Sequence, residues 1–287
     1  MLLLLLACAP TSDPTLLLDP DETRGGQPGE LGPFGVGRSQ YRATRATSRS
    51  FPVDLHFPAD SDGWMAEGEH PVVLWVQGGA VERERYHWIG EHLASRGYVV
   101  LTPQFPNDLA IFGSNRAHEA LQRARNLDQD GDPLLAGALS PEPAGIAGHS
   151  LGGVVAAKQW ARHPGDFEAL ILVASYPTGG DDVEDRGGTP VLSITGVLDG
   201  SAALEDVEEG AQRFQDGTLA IVDGMNHYDW TDDVTEAEQE KEDSPHDRPA
   251  EESRADAWRV LDSYLDAAML GDTAAWEAAE FPGVTLE

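Results

Sequence analysis

The sequence predicts an α/β fold, a single domain with a mostly parallel central sheet and helices on both faces. Two observations carry that prediction. From about residue 40, apolar runs of strand length alternate with stretches of helical spacing, the order expected of strands joined by crossover helices. Several of those runs are continuously apolar, as a strand must be when both of its faces are covered. With 287 residues, 40% of them hydrophobic, the chain can bury one sizeable core.

Taken in order, "SFPVDLHFP" (50–58) predicts an edge strand, because its prolines cannot donate to a ladder. "HPVVLWVQGGA" (70–80) predicts a buried strand ending in a glycine turn. "WIGEHLASRG" (88–97) predicts a helix that stops at Gly97. A strand at "YVVLTPQFP" (98–106) and a helix at "SNRAHEALQRARNL" (114–127) follow. "AGIAG" (144–148) predicts a third buried strand and "LGGVVAAKQWARHP" (151–164) a helix ended by Pro164. Two more strands lie in "EALILVASYP" (168–177) and "TPVLSITGVLDG" (189–200), then a helix in "ALEDVEEGAQRF" (203–214). "GTLAIVDGMNHYDW" (217–230) is the last strand with its loop. In "RADAWRVLDSYLDAAMLGD" (254–272), Ala257, Val260, Leu261, Tyr264, Leu265 and Ala268 share one face, so a closing helix packs on the sheet.

The domain therefore spans 38–272, and 273–287 reads as a C-terminal tail. Residues 231–253 are dense in charge and nearly free of apolar side chains, which predicts an exposed acidic insertion. Residues 9–37, rich in Pro, Gly and Asp, read as a tether or extended lead-in. Residues 1–8 end in Leu5-Leu6-Ala7-Cys8, which resembles a bacterial lipobox. That likeness implies a lipoprotein signal, a lipidated Cys8, and an exported protein held at a membrane or released outside it. The segment departs from a usual signal in lacking a basic start and in its short apolar run; a translation start upstream of Met1 would supply both.

Nineteen basic against 50 acidic residues give a formal charge of −31. That charge opposes binding to nucleic acid, because phosphate contacts need clustered Lys and Arg, and no nucleic-acid partner is expected. A single cysteine excludes internal disulfides and multi-cysteine zinc sites.

The chemistry concentrates in "GIAGHSLGG" (145–153). A buried strand runs into Ser150 and a helix leaves it, so the serine sits on a sharp reversal that lifts its hydroxyl above the sheet. Side chains at Gly148 and Gly152 would collide there, and Gly153 lets the helix lie close to its neighbours. The helix N-terminus behind the serine favours negative charge forming beside it. A serine hydroxyl needs a base, itself oriented by a carboxylate. In this arrangement the chain order is serine, acid, histidine. His227 is the expected base, because it follows the last strand at the sheet's carboxyl edge. His163 lies at the far end of the helix leaving Ser150, and His246 falls in the charged insertion. Asp199, past the carboxyl end of the fifth predicted strand, is the expected acid, with Asp223 and Asp229 as rivals. The oxyanion donors expected are the N–H groups of Leu151 and Gly79, with Gly78 allowing close backbone approach.

Together "VVLWVQGGA", "GHSLGG", "GVLDG" and "GMNHYDW" resemble the α/β-hydrolase superfamily over residues 40 to 272. "WIGEHLASRGYVVLTP", "GPF" (32–34) and residues 128–148 resemble the open-site branch of dienelactone hydrolase, chlorophyllase and cutinase-like esterases. The resemblance implies an α/β-hydrolase domain and hydrolysis of a small-molecule or polymeric ester. Gln77 departs from the pattern by standing where a histidine is more usual. Many such enzymes carry a cap domain before the acid-bearing strand. Only about a dozen residues, Thr178 to Thr189, are available here, so no large cap is expected.

No cofactor and no metal are expected. "DQDGD" (128–132) spaces carboxylates like part of a calcium loop, but Pro133 and Leu139 stand where that loop needs Gly and Glu, so a solvated turn is expected. No dinucleotide or phosphate-loop motif occurs. Three functions fit the sequence: a serine esterase acting through an acyl-enzyme, an acyltransferase with the same triad, and a non-catalytic surface-binding lipoprotein. Peptide-bond cleavage and the oligomeric state stay open.

Overall fold

The computed structural model describes residues 11–20, 29–44, 50–180, 182–183, 188–232, 234–236, 238, 245–246 and 248–287. Cys8 and the expected signal lie outside the described residues. The strands are β1 (Thr15–Leu18), β2 (Gly35–Thr44), β3 (Ser50–Ala59), β4 (Val72–Val76), β5 (Val99–Pro103), β6 (Ala144–His149), β7 (Phe167–Val173), β8 (Val191–Gly196), β9 (Gly217–Val222) and β10 (Val284–Leu286). The helices are α1 (His87–Ser95), α2 (Arg116–Asp130), α3 (Leu151–Arg162), α4 (Leu204–Ala211), α5 (Ala250–Leu270) and α6 (Thr273–Ala278).

The ten strands among the described residues form one sheet in the order β1-β2-β3-β5-β4-β6-β7-β8-β9-β10. The centre, from β5 to β9, is parallel. Alternation along β4 shows why these strands read as continuous apolar runs. Val72, Leu74 and Val76 join the core that includes Ala117, Leu121, Val155 and Trp160 of α2 and α3. Val73 and Trp75 join the core on the other face, with Ile89 and Leu93 of α1 and Trp258, Leu261 and Leu265 of α5. Each such burial contributes roughly 1.5–3 kcal/mol. Gly97, at φ 104°, follows the end of α1 and turns the chain into β5.

Three segments differ from their sequence-based expectation. The 50–58 strand is interior: β2 covers its whole length and β5 pairs with residues 53–56. Its prolines, Pro52 and Pro58, fall just outside that doubly paired span, and Pro52 takes part through its carbonyl, which accepts from Gln104 N at 3.0 Å. Within the 9–37 lead-in, β1 pairs with β2 and Gly32 N donates to Ser95 Oγ at 2.9 Å, so the described part docks along the domain. Within the 273–287 tail, β10 pairs with β9 and closes that edge of the sheet. Edge strands gain their ladder from partners far along the chain, so their short runs carry little local signal.

The "DQDGD" turn is also more than solvated. Asp132 is 5% exposed and accepts from Thr11 N, Thr11 Oγ1 and Leu134 N at 2.8–3.0 Å, tying the lead-in to the domain. Burial alone would raise the Asp132 pKa; these donors outweigh it and hold it below the usual range.

Candidate active site

Ser150 separates the end of β6 from the start of α3 with φ 53° and ψ −125°, a conformation that costs a non-glycine residue about 1–3 kcal/mol. Its surroundings over-determine it. Ser150 N donates to Val173 O at 2.8 Å, and Ser150 O accepts from Gly153 N at 2.9 Å and Ser175 Oγ at 2.6 Å. The glycines are there because nothing larger fits. A Cβ on Gly148 would stand 2.4 Å from the Gly152 carbonyl carbon, one on Gly152 2.2 Å from Val76 O, and one on Gly153 2.5 Å from Ser175 Cβ.

The loops after β8 and β9 meet beside it. His227 Nδ1 lies 2.9 and 3.0 Å from the two carboxylate oxygens of Asp199. A carboxylate oxygen accepts here, so Nδ1–H donates and Nε2 is left to face elsewhere. Asp199 Oδ1 also accepts from Ser201 N and Ala202 N at 2.9 and 2.7 Å, which fixes the carboxylate. Ser150 and His227 line one cavity of about 320 Å³ with Gly79, Ala80, Val81, His149, Ser201, Tyr228 and Glu238.

The rival acids go elsewhere. Asp229 is buried and turned back on its own loop, where Oδ2 accepts from Asn226 N at 2.8 Å. Asp223 is exposed. His246 braces the loop from outside, with Nδ1 3.1 Å from Gly224 O. His163 stacks on His118 in the helical layer, with ring centroids 3.7 Å apart.

The two residues expected to supply the oxyanion donors, Gly79 and Leu151, are neighbours in space. A Cβ on Gly79 would be 3.2 Å from Leu151 Cδ2. Leu151 opens α3, so no residue four positions back within the helix takes its N–H. Gln77 has a bracing role that its position in the sequence does not announce. It is fully buried, and its Nε2 donates to Val81 O at 2.7 Å and Asp108 Oδ1 at 3.2 Å across the loop that carries Gly79.

Two contributions to the site left no readable mark in the sequence. Tyr86 and His149 are buried together, with Tyr86 Oη 2.9 Å from His149 Nδ1. Arg85 holds two residues of the acidic segment beside the cavity: its guanidinium donates to both oxygens of Glu238 at 2.7 and 3.1 Å and to Asp232 O at 2.9 Å. The Arg85 bonds lower the Glu238 pKa to about 2, so its carboxylate stays charged at the cavity wall.

Among the described residues one group brings metal-ligand side chains together, His118, His163 and Asp166. Its rings stack 7° from parallel, so their in-plane lone pairs do not converge, and Arg125 occupies one Asp166 oxygen at 3.3 Å. That arrangement does not fit a shared ion. No helix among the described residues is long and apolar enough to cross a membrane.

A strained serine between a buried strand and a helix, on a mostly parallel sheet whose later loops bring an aspartate to a histidine, defines a class of hydrolase. Residues 72–240, more than half of the chain, match the model of the alpha/beta hydrolase family, and the chain belongs to that family. A pimeloyl-[acyl-carrier protein] methyl ester esterase of Chromobacterium violaceum is 36% identical over 110 residues. That match covers 38% of this chain and 39% of the esterase, so it spans well under half of the relative's length.

Proposed function

We propose that this hydrolase cleaves carboxylic esters through an acyl-enzyme on Ser150, with His227 as base and Asp199 as its orienting acid. The observation that carries the reading is the 2.9 Å bond between His227 Nδ1 and Asp199, made beside a cavity that Ser150 shares. The Chromobacterium relative, a methyl ester esterase, supports the same reaction class.

Ser150 Oγ attacks the acyl carbon while His227 Nε2 takes its proton. Asp199 holds the ring in the tautomer that leaves Nε2 free to do so. The N–H groups of Gly79 and Leu151 bind the oxygen that becomes negative in the tetrahedral intermediate. The intermediate collapses, His227 returns the proton to the departing alkoxide oxygen, and the acyl group stays on Ser150. Water then repeats the sequence and releases the acid. The connection between β7 and β8, residues 174–190, is too short for a cap domain, which leaves water room to reach the acyl-enzyme. That favours hydrolysis over transfer to an alcohol. Glu238 makes neutral or cationic esters the better substrates.

A fluorophosphonate probe tests the reading. The expected result is stoichiometric label on Ser150, located by mass spectrometry, and none on folded Ser150→Ala. A folded wild-type protein that takes no label would overturn it.

A further inference from the structure

We propose that Tyr86 and His149 are positioning residues that tie the base loop to the oxyanion loop through one continuous chain of hydrogen bonds. The inference rests on the reading of Ser150, His227 and Asp199 given above. Gly78 N donates to Tyr86 Oη at 2.9 Å, Tyr86 Oη lies 2.9 Å from His149 Nδ1, and His149 Nε2 lies 3.0 Å from the backbone oxygen of His227.

Only one proton arrangement satisfies this chain. The His227 carbonyl can only accept, so His149 carries its proton on Nε2. The neutral ring then offers a lone pair at Nδ1, which takes the single hydroxyl proton of Tyr86. The Tyr86 oxygen in turn accepts from Gly78 N. Every donor points the same way, from the loop after β4 to the elbow and on to the loop after β9. His149 is 0% exposed, Tyr86 2% and His227 4%, so no solvent competes for these bonds. Burial, with the His227 ring beside it, holds the His149 pKa well below the usual histidine range and keeps the ring neutral.

Packing alone does not call for these groups. An apolar ring at position 149 would fill the same space without the cost of burying a polar one. What the polar pair adds is a link among the three segments that must stay in register for the reaction. His227 is held through its ring by Asp199 and through its backbone by His149. Gly78, whose N–H is turned into Tyr86, sets the orientation of the peptide that follows, and that peptide carries the Gly79 N–H. The chain also explains the glycine: a Cβ on Gly78 would stand 2.9 Å from both His149 Nδ1 and Tyr86 Oη.

Tyr86→Phe removes one hydroxyl and leaves the shape of the core intact. On a soluble neutral ester it should lower kcat on the order of 10- to 100-fold with KM changed less than about threefold, because the loss is of alignment in the transition state. The second-order rate of fluorophosphonate labelling should fall in parallel. His149→Phe should do the same, while His149→Gln, which keeps a donor toward the His227 carbonyl, should recover most of kcat. Adding Tyr86→Phe to His149→Phe should cost little more, since the chain is already broken. Wild-type kcat and labelling rate in Tyr86→Phe would overturn the proposal, as would strictly additive losses in the double variant. Failure of the wild-type protein to label at all is a different result, which removes the triad reading itself.

Discussion

Beside Ser150, His149 and His227 lie with ring centroids 4.6 Å apart and Asp199 against one of them. Between α2 and the turn from α3 into β7, His118 and His163 lie 3.7 Å apart with Asp166 against one of them. The two groups hold the same residue types at similar separations, and they differ in direction and in solvent. In the first, the rings are tilted by 43° and each interaction runs to a fixed buried partner on a different loop. In the second, the rings lie parallel, and Asp166 divides its carboxylate among His118, Gln122 and Arg125. The second group is also partly open to water, with His118 and Asp166 side chains 23% and 25% exposed. Pairs of that kind contribute about 0–1 kcal/mol. Proximity of histidine and aspartate is therefore common to both, and a place beside a strained serine in one cavity belongs to one.

The comparison breaks most sharply on the two aspartates. Asp199→Asn should lower kcat on the order of ten-thousand-fold by turning His227 to the wrong tautomer. Asp166→Asn should leave kcat within about twofold and change stability by about 1 kcal/mol or less. Steady-state kinetics and thermal melts on both variants check this. Equal losses would mean that the outer group takes part in catalysis.

Acid stability separates the same two groups by burial. As pH falls below about 6.5, the unfolded chain binds a proton at position 149 that the folded chain refuses, because burial and the His227 ring depress the folded pKa. Stability contributed by that neutral ring is therefore lost as pH falls, by at most about 1.4 kcal/mol per pH unit for each such group. His56, fully buried and pushed down to about 3, acts with the same sign. His163 is also depressed, by partial burial and by His118, but solvent screens it. Melting temperatures at pH 7 and pH 5 should show a flatter slope in His149→Gln than in His163→Gln. Equal slopes would remove the distinction.

The smallest expected effect sharpens the substrate reading. Glu238→Gln removes a charge from the cavity wall and loosens its hold on Arg85. Measured at low ionic strength, kcat/KM should rise about fivefold on an ester bearing a carboxylate and change less than about twofold on a neutral one. An equal change on both would show that Glu238 shapes the cavity without selecting by charge.

How much was legible follows from the range over which each constraint acts. The strand–serine–helix reversal could be read from the glycine spacing around Ser150, although only Gly148 is demanded by atoms within the same nine residues; Gly152 answers to Val76 and Gln77, and Gly153 chiefly to Ser175. Asp199 stands out from Asp223 and Asp229 in the sequence because it follows the fifth predicted strand, in the order serine, acid, histidine, while its rivals lie too near His227 to face its ring easily. The structure brings Asp199 to His227 and turns Asp229 inward. The central strands were legible from their unbroken apolar runs. The interior place of 50–58 was not, because its prolines say only where donors are missing and not which neighbours the strand has. Nor was the docking of the lead-in through Asp132, whose partner Thr11 lies 121 residues away.

Local sequence determined the alternation of strands and helices, the strained serine, and the order in which acid and base follow it, since each rests on residue type at short spacing. Tertiary structure alone decided that Tyr86 meets His149 across 63 residues, that Arg85 meets Glu238 across 153, and that β1 and β10 close the sheet. Those contacts are set by where whole strands bring their loops, and a side chain's own neighbourhood in the chain carries no record of a partner that only folding supplies.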